Sequence, residues 1–391
     1  MNSKTIDLDG LRVTLNRPRV VAETSQGHCW YPDLMQFSTG QFMLVHSMNP
    51  DRNDNLHNAQ AVYLSTDRCR TFDFAYDVNG FQNGGGEPRL SLSDGRIVGL
   101  SSYFKPAPGN RQKRLLAHRW CYDQGGDRYT VEPWAVVVEG LPRDVQTCEG
   151  SRTSWLRMSC FSDILVRDDG GWIACLHLLY DGDARASVVA IASLDEGHHW
   201  RYLSTIARPE DAPHSLEGFG EPTIATLSGG QILCIMRVGQ HHKQPDQWLT
   251  RSTSSDGGRT WSSIEPLPAW SVAPQCRRLQ NDTVVLSTGR PGIFLWLAAD
   301  ADARDWQSVD VVDWHNRALD DAFHIKIPLD GIDAVSGRKG QTTSYTAMVE
   351  SSPNRLLLVY DRIPFGWRPV PEDSDQRNQI YLLEAEIERT A

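Results

Sequence analysis

The chain has no cysteine pair at CxxC spacing. Its eight cysteines, at 29, 69, 121, 148, 160, 175, 234 and 276, show no compact pairing pattern. Reduced, buried thiols are expected, as in a cytoplasmic protein. The first residues, Met1-Asn-Ser-Lys-Thr-Ile-Asp-Leu-Asp-Gly10, lack the apolar stretch of a signal peptide, which gives the same expectation. No apolar run approaches the roughly 20 residues of a membrane span. There is no Walker loop, no Gly-rich dinucleotide fingerprint and no serine nucleophile elbow. The twelve histidines are scattered, so neither a metal nor a cofactor is expected. Positive charge is also short. The formal net charge of −10 excludes nucleic acid or an anionic membrane as a bulk partner. It leaves room for an anionic small molecule, because a few local arginines reverse the potential of a cleft.

What is present repeats. Ser65-Thr-Asp-Arg-Cys-Arg-Thr-Phe72, Ser193-Leu-Asp-Glu-Gly-His-His-Trp200 and Ser254-Ser-Asp-Gly-Gly-Arg-Thr-Trp261 share the frame Ser-x-Asp-x-Gly-x-x-aromatic, with Cys69 in place of the first glycine. Ser and Asp close a turn on their own backbone. Glycine supplies a positive φ. The aromatic ring plugs the turn onto an apolar layer. Degenerate copies occur at Cys121-Tyr-Asp-Gln-Gly and over Asp300–Trp306. The thirteen tryptophans are mostly expected in such packing, leaving some as sugar-stacking platforms.

A second motif, strand–polar turn–strand, occurs six times: Tyr31–Val45, Glu87–Val98, Ser162–Cys175, Glu221–Cys234, Pro274–Leu286 and Tyr345–Val359. Each reads as a β-hairpin. Repeats spanning most of 391 residues predict one all-β domain, 1–391: a six-bladed β-propeller of four-stranded antiparallel sheets. Either Leu11–Val21 or Ile380–Ile387 would supply the strand that closes the ring. No helix of more than two turns is expected. Gln240–Gln247 and Pro328–Thr343 read as long loops, where functional residues concentrate.

The repeated turns resemble the Asp box of the sialidase-like (BNR) β-propeller superfamily, and the resemblance extends to residues that carry chemistry. Glu221 and Arg237 open and close one hairpin, similar to the sialidase segment with a catalytic Glu and a carboxylate-binding Arg. Tyr345, with Val359-Tyr-Asp361 on the partner strand, resembles the segment supplying a tyrosine nucleophile. Phenol, with a pKa of about 10, needs a base to attack. The resemblance implies Glu221 for that role, and Tyr nucleophiles set sialidases apart from other glycosidases. Asp54 lies eleven residues before Ser65, as the general-acid Asp does in the family; Arg52 and His57 share its loop. Arg290 matches another carboxylate-binding Arg, and paired guanidiniums on neighbouring blades could hold one anion.

The chain departs from the family at its first hairpin. Trp30 stands where sialidases have the first of three arginines, so a stacking face replaces a cation. Arg52, Arg89 or Arg277 would have to complete the cluster. The expectation is an exo-glycosidase removing a terminal, acidic sugar: Tyr345, Glu221 and Asp54 catalytic; Arg237, Arg290, Trp30, Arg52, His57 and Arg89 binding substrate. Two alternatives stay open. One is a uronate-specific lyase, similar to rhamnosyl-glucuronate lyases, with Tyr345, His28 or His57 abstracting a proton. The other is a non-catalytic carbohydrate-binding propeller, since fold alone does not give function.

Overall fold

Alternating apolar residues bounded by Gly, Asp and Pro turns favour short strands, each with one buried face. The computed structural model describes residues 2–48, 58–80, 88–106, 113–146, 158–160, 163–239, 249–269, 272–290, 292–327 and 340–390. They divide into two compact units, residues 1–85 with 270–391, and residues 86–269. No described helix is long and apolar enough to cross a membrane.

The first unit holds three antiparallel sheets. One orders Trp30–Gln36, Phe42–Ser47, Asn58–Ser65 and Asp73–Gly80. The next orders Gln275–Arg278, Val284–Gly289, Ile293–Ala298 and Trp306–Asp310. The third runs Thr346–Ser352, Arg355–Arg362, Asn378–Arg389. Both ends of the chain meet there: Arg19–Thr24 pairs with the first part of Asn378–Arg389, and Leu11–Asn16 with the rest. The C-terminal run is thus the third strand and the N-terminal segment the outer one.

The second unit holds a sheet of Phe219–Thr226, Ile232–Val238, Thr250–Ser254 and Glu265–Pro266, and a nine-stranded sheet. The larger sheet joins two meanders. One runs from Arg89–Ser91 to Arg128–Glu139; the other is built on Trp172–Leu178, Ser187–Ser193 and His199–Ala207. Their outer strands pair in parallel through Val137–Glu139 and His199–Arg201. All six repeated hairpins pair antiparallel as read from the sequence.

The three turn repeats fold alike. The N–H of Cys69, Gly197 and Gly258 donates to the Oγ of Ser65, Ser193 and Ser254 at 2.9, 3.0 and 2.8 Å. Cys69, Gly197 and Gly258 sit at φ +60, +84 and +87°, so Cys69 adopts a backbone more natural to glycine. Asp67, Asp195 and Asp256 each accept the N–H four residues on, from Thr71, His199 and Thr260. Trp200 is buried, and Phe72 and Trp261 pack against the apolar clusters below them. In the copy at 121, the Cys121 thiol takes the serine's part by donating to Asp123. In the copy at 300, Asp300 accepts from the N–H of Arg304 and Asp305, with Ala303 at φ +50°.

One helix, Val311–Ala318, escaped the sequence pattern. Asp310 caps it by accepting from the Asp313 N–H at 2.9 Å, and Trp314 is buried with its indole N–H on Asn16 O. Cys29, Cys69, Cys121, Cys175, Cys234 and Cys276 are buried free thiols.

Four hydrogen bonds converge on Asp256, from Ser254, Arg259 and the Thr260 N–H and hydroxyl. Asp256→Ala should cost about 1–2 kcal/mol, read as a lower urea midpoint at unchanged m. Hydrogen bonds from Thr71 and Thr260 hold the Asp67 and Asp256 carboxyls at about 2, down from 3.8. Depressed carboxylates stabilise the fold above their unfolded pKa and lose that contribution as pH falls toward the folded value. The Asp256→Ala penalty should therefore shrink between pH 4 and 2.

Candidate active site

The inner strands of the repeated hairpins begin on unusual backbone. Tyr31, Glu221 and Ala273 have φ of +51, +44 and +38°, each directly before a proline, and Arg290 and Ser344 have +61 and +64°. A residue before proline is sterically pushed toward extended conformations, and a non-glycine residue at positive φ costs about 1–3 kcal/mol. Such backbone persists only where surrounding contacts fix it, and it clusters at functional sites. Glu221 and Arg290 are themselves chemistry-bearing residues singled out from the sequence. Ser344 directly precedes Tyr345.

In the first unit the fixing group is Asp361, at the end of strand Arg355–Arg362 and fully buried. Its carboxylate accepts from Thr342 Oγ1 at 2.8 Å, from the Thr343 N–H at 2.7 Å, from Thr343 Oγ1, and from the Tyr31 N–H at 3.2 Å. Burial pushes its pKa up, and these donors pull the other way. Thr342 and Thr343 in turn accept the N–H of Ser344 and Tyr345 at 3.0 and 3.3 Å. Arg290 donates to Thr343 O at 3.1 Å. Gly289 has to be glycine, since a Cβ there would lie 2.4 Å from Ser344 Cβ.

Tyr345 therefore sits among aromatic neighbours. Tyr31 meets it edge-on, ring centres 4.8 Å apart at 80°. Trp367 lies 5.7 Å from Tyr31, and the Arg290 guanidinium stands 5.6 Å from the Tyr345 ring centre and 5.3 Å from that of Trp367. Tyr31, Arg290, Tyr345 and Trp367 are all half-buried. Trp30 is 1% exposed, stacked on His28 at 4.2 Å and edge-on to Trp367. Its face is taken by His28, so it backs the site instead of offering a platform to solvent. His28 is buried as well, and desolvation lowers its pKa from 6.5 to about 4.

In the second unit Glu221 is 8% exposed and its carboxylate lies 2.9 Å from Arg237, which also faces Glu217 at 3.9 Å. The Glu221 N–H donates to His177 Nδ1 at 3.2 Å, so that nitrogen carries no proton. Desolvation first, then Arg237, lowers the His177 pKa to about 4. Ser215 ties the loop ahead of Glu221, donating to Gly218 O and Gly239 O and accepting from the N–H of Glu217 and Gly218.

Arg89 is buried in the same unit, 3.9 Å from Asp163. Asp54, Arg52 and His57 lie outside the described residues. Asp361, Tyr31, Trp367, His177, Glu217 and Ser215 were not read as site residues from the sequence. For Tyr31 the available signal was Tyr-Pro at a strand start, matching Glu221-Pro. Trp367 sits in a turn with no repeat to mark it.

Four histidines, 28, 46, 177 and 315, have pKa values lowered to about 4 by burial. The unfolded chain protonates them near 6.5, so their contribution is full above that pH and lost as pH falls toward 4. The melting temperature should decline across pH 6.5 to 4, and His177→Gln should make the decline shallower. A flat profile over that window would contradict the buried neutral imidazoles.

No family model matches the chain, and no curated protein matches it. Solved structures do. A Dyadobacter fermentans protein of unknown function superposes with a TM-score of 0.68 at 17% identity, covering 97% of this chain and 100% of that one. An α-L-arabinanase of Penicillium chrysogenum, solved with arabinobiose, gives 0.62 at 14%, covering 94% and 98%. A Hadza microbial sialidase gives 0.58 at 13%, covering 86% of this chain and 64% of the sialidase. The chain thus spans just under two thirds of that sialidase. At these identities the likeness is one of fold: the chain is an all-β protein with a sialidase-like propeller fold.

Proposed function

We propose that the protein is a retaining exo-glycoside hydrolase, one six-bladed propeller domain over residues 1–391, with Tyr345 as nucleophile. The observation that carries this reading is the left-handed backbone at Tyr31, Glu221, Arg290 and Ser344. Four strand mouths hold costly conformations at or beside the residues that glycosidic chemistry requires. Glycosidases among the similar folds, the arabinanase and the sialidase, support the same reading.

The roles follow from charge. The Tyr345 oxygen attacks the anomeric carbon as its phenolic proton passes to a carboxylate base, the role assigned to Glu221, whose ion-pair partner is Arg237. Asp54 donates a proton to the departing oxygen, giving a free alcohol and a glycosyl–tyrosine. Asp54 then takes a proton from water, which attacks the same carbon; the bond to the Tyr345 oxygen breaks, the base returns its proton to the departing phenolate, and the sugar leaves with retained configuration. A lyase using His28 as base is disfavoured by that ring's burial against Trp30.

Tyr345→Phe should lower kcat by about a thousandfold or more, roughly 4 kcal/mol of barrier. Glu221→Gln should do nearly as much, and the double variant little more, as for residues acting as one unit. NMR of the first-formed sugar should show retention. A product absorbing in the ultraviolet, or full turnover by Tyr345→Phe, would end this reading.

A further inference from the structure

We propose that Tyr31, Trp367 and Tyr345 form a subsite for the apolar face of an uncharged sugar, so that the preferred substrates are neutral glycosides. The inference rests on the reading of Tyr345 as the reacting residue and replaces the acidic sugar expected from sequence.

The first argument is charge. A carboxylate is gripped best by paired, unoccupied guanidinium donors. In the first unit, Arg290 is the one guanidinium among the described residues that lies over these rings. It already donates to Thr343 O, and the N–H of Thr343 donates to the Asp361 carboxylate. Arg362, next along the strand, is consumed by Ala322 O, His324 O, Gln376 and Gln379. His28 and His315, with pKa values near 4, are neutral at pH 7. A carboxylate arriving over these rings would meet that one guanidinium, with one of its five N–H groups already spent on Thr343 O. In the second unit Arg237 is held by Glu221 at 2.9 Å.

The second argument is surface. Two tyrosines and a tryptophan, half-buried, with Tyr31 edge-on to each of the other two, present apolar faces with polar tips. The C–H face of a sugar packs on such rings, and its hydroxyls reach the tips. The Trp367 indole N–H is buried and has no hydrogen-bond partner among the described residues. Arg290, by stacking on both Tyr345 and Trp367, braces the rings instead of clamping an anion.

The test uses pairs of p-nitrophenyl glycosides that differ only in a CH2OH group against a carboxylate, with a p-nitrophenyl sialoside beside them. The neutral members should show kcat/KM at least tenfold above their acidic partners. Trp367→Ala should raise KM for the neutral substrate about tenfold with a smaller change in kcat, and Trp367→Phe should restore most of it. Binding is read separately, in the Tyr345→Phe protein, by quenching of tryptophan fluorescence with the neutral glycosides. Quenching that Trp367→Ala weakens, with no turnover of any glycoside by the native enzyme, would sink the hydrolase reading and sustain the subsite. Preference for the acidic members, or KM and quenching unmoved in both Trp367 variants, would overturn the subsite whatever the chemistry.

Discussion

Left-handed backbone at non-glycine residues is the constraint around which the candidate site is built. At Tyr31 and Glu221 the following proline removes the ordinary escape toward helical backbone and leaves extended conformations as the relaxed choice. Neither residue takes it. Something has to hold each one, and in both units it is a buried polar group acting on backbone N–H. Asp361 holds Tyr31 and the Thr342–Thr343 turn that leads into Tyr345. His177 holds Glu221, and Ser215 holds the loop ahead of it. Tyr345 stands half-buried over the fully buried Asp361.

The same economy of polar groups explains the electrostatics. Asp361 is buried but spends its lone pairs on neutral donors, so it needs no guanidinium partner. That frees the first hairpin from carrying an arginine, and Trp30 fills the space against His28 and Trp367. Glu221 does the opposite and leans on Arg237. Tyr345 is thus set among aromatic rings and Glu221 in an ion pair. Strength of anion binding and strength of aromatic stacking trade against each other at a single position, and here the aromatic choice was made.

Several features were legible beforehand for definite reasons. The turn repeats could be read because each residue of the frame makes a local bond, within four residues, that any copy must make again. Even Cys69 for glycine was readable as a substitution, since the other positions kept the frame. The hairpins were readable from alternation. Glu221, Arg237, Arg290 and Tyr345 could be singled out because they sit at fixed offsets from those hairpins. The surroundings of Trp30 were not legible, because a sequence shows which residue replaces an arginine but not which ring covers its face. The helix Val311–Ala318 was missed because its apolar stripe, Val311, Val312, Trp314, His315 and Ala318, follows directly on a strand and includes a histidine.

Sequence by itself determined the strands, the turns and which side chains stand at strand mouths, because those depend on period-two burial and on bonds closed within a few residues. Tertiary structure alone decided which of those side chains are usable. The pairing of Tyr31 with Asp361 spans 330 positions, and the last strand, Asn378–Arg389, finds its partners in the first two dozen residues. Whether an arginine is available or occupied, and whether a tryptophan offers its face or hides it, depends on neighbours that only folding brings near. No local pattern records them.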